Sequence, residues 1–191
     1  CVMRHIPIFT FINKMDRDAM DTFELLDDIE KELGIATCPV NWPIGSGKAF
    51  KGVYDRNGRE VELFSDTQKG TRMGEVQTVS IDSPELDGIL GEDARAKLDE
   101  EIELLDGAAA EFDQELVSKG ELSPVFFGSA LTNFGVETFL RHFLDMTTSP
   151  LPRMSDQGEV DPMTETEFSA FVFKIQANMN KAHRDRIAFM R

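Results

Sequence analysis

The fold class of this chain is decided by a short stretch, IPIFTFINKMD, at residues 6–16. Residues 6–12 are aliphatic or aromatic with almost no polar interruption, which is typical of a strand buried on both faces of a parallel sheet. Across residues 18–33, apolar side chains recur at three- and four-residue intervals, and Gly34 follows as a helix stop. The stretch therefore predicts a strand, a polar loop and a helix in succession.

A second strand and helix follow further along the chain. Residues 124–127 are predicted to form a short strand, and the apolar spacing at 136–146 predicts a helix. This order favours an α/β fold, in which helices cover a parallel sheet. Between the two units we predict a β-hairpin at 50–64 and one amphipathic helix at about 92–118. The acidic side chains of that helix are predicted to form a solvated face: Asp99, Glu100, Glu101 and Glu103.

Composition limits the possible classes of function. Hydrophobic residues make up 41% and charged residues 29% of the 191 residues, as in soluble globular proteins. The net charge of −15, from 35 acidic and 20 basic residues, disfavours sequence-independent attraction to nucleic acid. A nucleic-acid partner would therefore need a local basic patch. One basic run near the C-terminal end is a candidate for such a patch. The alternative, which the sequence favours equally, is that these are ordinary solvated charges. The run contains Lys174, Lys181, His183, Arg184, Arg186 and Arg191.

The chain resembles an internal piece of a longer cytoplasmic protein. It lacks an initiator methionine and both ends lie in strand-like runs, while no stretch resembles a signal peptide or a membrane span. We therefore expect a cytoplasmic location and no membrane partner. Cys1 and Cys38 are predicted to be reduced thiols. Residues 150–167, rich in proline, glycine and acidic residues, predict a linker between a first domain at 1–149 and an all-β domain at 168–191.

The glycine-rich stretch GSGK, residues 45–48, is not predicted to be a phosphate loop. The motif G-x-x-x-x-G-K-[ST] needs its first glycine for a tight turn and its final hydroxyl for magnesium. Trp42 and Ala49 occupy those two positions here. Pro39 and Pro43 also argue against the apolar strand that should precede such a loop. We interpret GSGK as a glycine-containing connection before the hairpin.

A polar loop, Asn13-Lys14-Met15-Asp16, follows the first predicted strand. Ligands of parallel sheets bind at the carboxyl ends of the strands. The Asp16 carboxylate can accept two parallel hydrogen bonds, and guanine offers two adjacent donors, whereas adenine presents an acceptor at N1. Asn13 can tie the loop together and contact guanine N7, and the stem of Lys14 can lie over the base. The alternative interpretation is that Asp16 only caps the following helix.

A second loop, Gly128-Ser129-Ala130, follows the second predicted strand. Its small residues would let a backbone amide approach guanine O6, and glycine tolerates the turn that this approach needs. Two loops on different strands would then hold one base. The predicted guanine-binding residues are Asn13, Lys14, Asp16, Ser129 and Ala130, and no metal ligand is predicted.

These motifs resemble a known family. TFINKMD (10–16) and VFFGSALTNFGV (125–136) resemble the fourth and fifth guanine-nucleotide motifs of translational GTPases. NWPIGSGKAFKGVYD (41–55) is similar to the segment that opens the insertion in the GTP-binding domain of elongation factor G and its relatives. Together with FSAFVFKIQANMNKAHRDRIAFMR (168–191), it most resembles the bacterial peptide chain release factor three family. The resemblance covers nearly the whole chain.

The resemblance implies both a fold and an activity. The fold would be the C-terminal part of a P-loop GTPase domain, with an α+β insertion at about 40–120, followed by the start of a β-barrel domain. The activity would be ribosome-dependent hydrolysis of GTP to GDP and phosphate, which promotes recycling of stop-codon-reading release factors in translation termination. Implied ligands are GTP, GDP and, in the parent protein, Mg²⁺. Implied partners are the ribosome, through its RNA and proteins, and the release factors.

The resemblance also implies what these residues lack. The phosphate loop, the magnesium-binding threonine and the switch segment of the family have no matching position here, so no catalytic residue is transferred and the fragment alone is expected to be inactive. A strand at 6–12 without its preceding neighbours would expose a sheet edge that favours self-association. Two alternatives stay open: another translational GTPase, such as an elongation or ribosome-protection factor, and a non-catalytic interaction domain on a GTPase-like scaffold.

Overall fold

A computed structural model describes the chain in two compact units, which are treated separately below. The first unit comprises residues 1–147 and the second residues 148–191. The described residues are 1, 6–64, 76–156, 158–177 and 185–191. No helix within those ranges is both long and apolar enough to cross a membrane.

The first unit mixes strands and helices, which confirms the predicted α/β class. Its strands are β1 (Thr10–Ile12), β2 (Ala36–Pro39), β3 (Asn41–Ile44), β4 (Gly52–Asp55), β5 (Glu60–Phe64), β6 (Val76–Ser80) and β7 (Leu122–Phe127). Its α-helices are α1 (Thr22–Leu33), α2 (Glu85–Leu90), α3 (Glu92–Ala108), α4 (Gln114–Lys119) and α5 (Val136–Met146). A 3-10 turn spans Gly47–Ala49.

Strands β1, β7 and β2 form a parallel sheet in that order. The central strand β7 is buried along its whole length, as expected of a strand covered on both faces. In contrast, β1 is only partly buried and pairs with β7 from Thr10 to Ile12. The prediction of a fully buried strand over residues 6–12 was therefore wrong in extent and in burial, because only Thr10–Ile12 of this stretch form a strand and all three residues are partly exposed. Strand β2 was not predicted at all.

Helix α1 begins at Thr22, later than the predicted residue 18, because Asp21 caps it. The Asp21 Oδ1 atom accepts hydrogen bonds from the amides of Phe23, at 2.9 Å, and Glu24, at 3.3 Å. Gly34 ends the helix in the left-handed conformation, with φ of 65°. The cap residue is thus Asp21 and not Asp16, which removes the alternative interpretation of Asp16.

Strands β3 to β6 form an antiparallel sheet in chain order. The predicted hairpin is confirmed, and Asp55 Oδ1 accepts from the amides of Asn57, at 3.0 Å, and Gly58, at 3.2 Å, in its turn. The argument that prolines exclude a strand before GSGK was wrong, because Pro39 ends β2 and Pro43 lies in β3. Proline is tolerated in β3 because this strand lies at the edge of its sheet.

The single helix predicted at 92–118 is two helices. The backbone turns extended at Ala109, with ψ of 146°. Asp113 then caps α4, and its Oδ1 atom accepts from the amides of Glu115, at 2.8 Å, and Leu116, at 3.1 Å. The prediction missed this break because the apolar spacing continues across it.

Glu101 departs from the solvated acidic face predicted for α3. Its Oε2 atom accepts a hydrogen bond of 2.9 Å from Trp42 Nε1, and its other oxygen lies 3.5 Å from Lys97 Nζ. The Trp42 ring is fully buried, with centroids 4.7 Å from Phe23 and 5.3 Å from Phe127. Trp42 therefore joins the antiparallel sheet to α1 and to the parallel sheet.

A buried polar cluster attaches the antiparallel sheet to α5. Asp55 Oδ2 lies 3.1 Å from Arg141 Nη2 and 2.7 Å from His142 Nε2. Glu62 accepts a hydrogen bond of 3.0 Å from Arg141 and another from the Thr138 hydroxyl. Both carboxylates are buried, so their charges need these donors.

The second unit consists of two antiparallel strand pairs. Strands β8 (Arg153–Ser155) and β9 (Gly158–Val160) form one pair, and β10 (Val172–Ala177) and β11 (Arg186–Met190) form the other. The segment predicted as a linker therefore contains regular structure in β8 and β9. Lys181, His183 and Arg184 of the predicted basic run lie outside the described residues.

The two cysteines are free thiols, as predicted. Cys1 is exposed, whereas Cys38 is buried in β2. Burial raises the pKa of the Cys38 thiol to about 11. The neutral thiol therefore predominates at neutral pH, and Cys38 behaves as a small apolar core residue.

Candidate nucleotide-binding site

The two predicted loops follow adjacent parallel strands and meet at the same end of the sheet. Residues 13–16 follow β1 and residues 128–130 follow β7; these are called the binding loops below. The Gly128 amide donates to the Ile12 carbonyl at 3.0 Å, and the Met15 amide donates to the Gly128 carbonyl at 3.1 Å. The strand ladder thus continues into the loops and sets their separation.

Asn13 connects one binding loop to the other. Its Oδ1 atom accepts hydrogen bonds from the Ala130 amide, at 2.9 Å, and from the Lys14 amide, at 2.8 Å. Lys14 has a φ of 73°, in the left-handed region that residues other than glycine seldom adopt. Both Lys14 and Ala130 are exposed to solvent.

Asp16 lies beside a buried anchor. The Met15 side chain is 1% exposed and belongs to the main hydrophobic core, which holds the loop against the sheet. One carboxylate oxygen of Asp16, Oδ1, is buried and has no hydrogen-bond partner in the protein. A buried carboxylate oxygen without a donor is costly, so a donor supplied by a ligand is the expected remedy.

Ser129 presents a second unpartnered oxygen. The residue is 0% exposed and its Oγ atom has no hydrogen-bond partner. Its backbone is held firmly, because it exchanges hydrogen bonds of 2.8 and 3.0 Å with Phe134. A Cβ atom at Gly128 would overlap the Phe134 carbonyl oxygen and lie 2.9 Å from the Phe11 ring, so this turn requires glycine.

These two oxygens stand apart from the other polar groups. Among the described residues, the buried side-chain oxygens and nitrogens that lack a hydrogen-bond partner are Asp16 Oδ1 and Ser129 Oγ. Native proteins pair nearly all such groups, and exceptions call for an explanation. Both exceptions lie in the binding loops. The site therefore has the acceptors that suit a ligand with adjacent N–H donors, as guanine has.

Sequence reasoning missed two residues that hold these loops. Asn41 is fully buried in β3 and exchanges two hydrogen bonds with the backbone of Phe127. Gly47, inside the GSGK stretch, donates its amide to the binding loop that contains Met15. A lone amide side chain among apolar strand residues was the available signal for Asn41. For Gly47 no local signal indicated a partner, because its contact spans the fold.

Comparison with known proteins gives the family. Residues 1–149 match the family described as "Elongation factor Tu GTP binding domain". The chain belongs to this family. The match includes both binding loops and the antiparallel sheet between them.

The chain is also similar to peptide chain release factor 3 proteins over its whole length. It is 56% identical to that of Symbiobacterium thermophilum, of which it covers 36%. It is 51% identical to that of Trichormus variabilis and 50% identical to that of a Synechocystis species, covering 35% of each. The chain thus spans about a third of the length of these relatives. The resemblance to the release factor three family is confirmed.

A solved structure supports the fold alone. A crystal structure from Thermus thermophilus matches 82% of this chain and 27% of its own, with a TM-score of 0.51 and 19% identity.

No group of three or more His, Cys, Asp or Glu side chains in the described ranges could hold a metal ion.

Proposed function

We propose that the binding loops recognise the guanine base of GTP and GDP. The observation that carries this proposal is the pair of buried, unpartnered oxygens, Asp16 Oδ1 and Ser129 Oγ, in the two loops. The Asp16 carboxylate accepts from the N1–H and the amino group of guanine. Adenine offers no such pair of donors, so the buried Asp16 Oδ1 atom would stay unpaired against it.

The other predicted residues take positioning roles. The Oδ1 atom of Asn13 is already occupied within the loops, which leaves its Nδ2 group to donate to guanine N7. The amide of Ala130 donates to Asn13 and is shared with guanine O6 in a three-centre bond. The exposed Lys14 side chain covers the base with its aliphatic stem.

We propose that the whole protein is a ribosome-dependent GTPase of translation termination that promotes recycling of stop-codon-reading release factors. Support comes from the similarity of all 191 residues to release factor 3 proteins and from the GTP-binding domain family. In this proposal residues 1–149 are part of the GTP-binding domain, with an insertion at about 40–120. Residues 150–167 link it to the start of a β-barrel at 168–191.

The chemistry of hydrolysis is assigned to the full-length protein. No position in these residues matches the phosphate loop, the magnesium-binding threonine or the switch segment of the family. We therefore propose that the 191 residues alone do not hydrolyse GTP, and that Mg²⁺ is held by residues outside them. What these residues supply is recognition and orientation of the base.

The test uses the full-length protein that contains this sequence. We would measure the affinity for GDP and ADP by isothermal titration calorimetry, and then measure displacement of a bound release factor from stalled ribosomes with GTP. The proposal expects GDP binding with strong preference over ADP, and displacement that requires GTP. Absence of guanine binding would contradict the proposed role of the binding loops and favour a non-catalytic interaction domain on a GTPase-like scaffold. Guanine binding without release-factor displacement would favour another translational GTPase.

A further inference from the structure

The GSGK stretch, which is not a phosphate loop, contacts a binding loop directly. The Gly47 amide donates to the carbonyl of Met15, at 2.9 Å, and to the carbonyl of Arg17, at 3.1 Å. These two carbonyls flank Asp16 on both sides. One amide from the antiparallel sheet region therefore holds the backbone of the residue proposed to read the base.

Gly47 lies close to the residues that follow Asp16. Its φ is 57°, in the left-handed region that favours glycine. A Cβ atom there would displace the Asp18 carboxylate and lie 3.1 Å from the Asp18 amide nitrogen and 3.4 Å from the Arg17 carbonyl carbon. A side chain at this position would therefore strain its own backbone and crowd the backbone next to Asp16.

The same segment holds the second binding loop from its other end. Asn41 donates through Nδ2 to the Phe127 carbonyl, at 3.0 Å, and accepts at Oδ1 from the Phe127 amide, at 2.7 Å. Phe127 directly precedes Gly128. This fully buried pair of hydrogen bonds defines the point at which β7 ends and the loop begins.

We propose that residues 41–49, called the support segment below, position the guanine-binding loops. This inference rests on the proposed function and extends it to the antiparallel sheet region. Asn41 holds the start of the 128–130 loop, and Gly47 holds the carbonyls on either side of Asp16. Displacement of the support segment would therefore change guanine affinity, although the segment itself does not touch the base.

The experiment is a matched pair of glycine substitutions in the full-length protein, read by GDP titration. Gly47→Ala strains the left-handed backbone at residue 47 and crowds Arg17 and Asp18, next to Asp16, so its Kd for GDP should rise by about five- to tenfold. Gly107→Ala, at an α3 position where a Cβ atom meets nothing within 4 Å, should leave the Kd unchanged. Binding stoichiometry distinguishes a displaced binding loop, which raises the Kd, from a general folding defect. A merely structural defect lowers the fraction of active sites and leaves the Kd of the folded fraction unchanged.

A measurement on the wild-type protein avoids dependence on folding of the variant. Hydrogen exchange of a peptide covering 44–50 should slow when GDP binds, because the Gly47 amide bonds the ordered loop. A peptide covering the hairpin turn at 56–59 should not change. Unchanged exchange at 44–50, or a Gly47→Ala Kd equal to that of Gly107→Ala, would overturn the inference while the guanine site stands. Failure of the wild type to bind GDP would instead overturn the proposed function and this inference with it.

Discussion

The binding loops and the support segment are both short and both contain glycine and polar side chains, yet they use their polar groups differently. The binding loops leave Asp16 Oδ1 and Ser129 Oγ buried and without partners. In the support segment, the Asn41 side chain and the Gly47 amide are both engaged by neighbouring backbone. In our proposal, the unsatisfied side-chain oxygens are where guanine binds, and the satisfied groups of the support segment hold the binding loops in place.

The largest effect on stability is expected in the support segment, at Trp42. Trp42→Ala removes a fully buried ring and its hydrogen bond to Glu101, so it should lower the free energy of unfolding by about 3–5 kcal/mol. Phe168→Ala removes a ring that is 88% exposed in the second unit, so it should change the free energy of unfolding by less than about 0.5 kcal/mol. Urea denaturation measures both. Equal effects would show that the support segment is not part of the core.

The buried cluster that joins the hairpin to α5 should show a pH dependence. Burial by itself would raise the pKa of Asp55, but hydrogen bonds from His142 and from the Gly58 amide, with the charge of Arg141, hold it below its usual value of 3.8. The ionised Asp55 carboxylate therefore stabilises the folded state at pH values above its pKa in the unfolded state. It is lost as the pH falls through the lower pKa of the folded state.

The corresponding variant is Asp55→Asn, with the exposed Asp27→Asn as its control. At pH 7 the Asp55 variant should lose about 1–3 kcal/mol of unfolding free energy, because a charge-assisted hydrogen bond is removed. The difference from wild type should shrink below pH 3.8. Denaturation midpoints across this range measure the effect. A difference that stays constant with pH would contradict the assigned cause.

A pair of serine substitutions sharpens the comparison most directly. Ser123, fully buried in β7, bonds through Oγ to the Ile8 carbonyl at 3.0 Å and to Thr10 Oγ1 at 2.9 Å. Ser123→Ala should lower the unfolding free energy by about 1–2 kcal/mol and leave GDP affinity unchanged. Ser129→Ala should leave stability unchanged or slightly raised, because its Oγ has no protein partner, and should weaken GDP binding several-fold. A loss of stability with unchanged GDP affinity in Ser129→Ala, together with weaker GDP binding in Ser123→Ala, would contradict the distinction between binding and supporting residues.

Much of the fold could be predicted where local signals agree. The apolar spacing of 136–146 indicated the bounds of α5, and the Asn-Gly turn indicated the hairpin. Prediction failed where tertiary position overrides local preference. Pro43 is acceptable in β3 only because that strand lies at a sheet edge, and edge position cannot be read from one segment. The break at Asp113 was missed because capping competes with a continuing apolar pattern.

In the candidate site, too, some features follow from local sequence and others depend on tertiary packing. Polar residues at the strand ends led to the prediction of Asn13, Asp16 and the 128–130 loop as a site, because ligands of parallel sheets bind at strand ends. The hydrogen bond from Ala130 to Asn13 spans the two loops and follows from the parallel pairing of β1 with β7. The support from Gly47 depends on how the antiparallel sheet region packs beside the loops. That packing is set by long-range contacts that no local spacing encodes.

The central claim is that Asp16 reads the guanine base, and one measurement tests it most directly. The affinities of the full-length wild type and of Asp16→Asn are compared for guanosine and xanthosine diphosphates, with Asp28→Asn, an exposed position in α1, as control. Xanthine carries a carbonyl where guanine carries its amino group, and asparagine donates where aspartate only accepts. We expect Asp16→Asn to lose GDP affinity by roughly 100-fold or more and to prefer xanthosine diphosphate, while Asp28→Asn matches wild type. Unchanged guanine preference in Asp16→Asn would contradict the account.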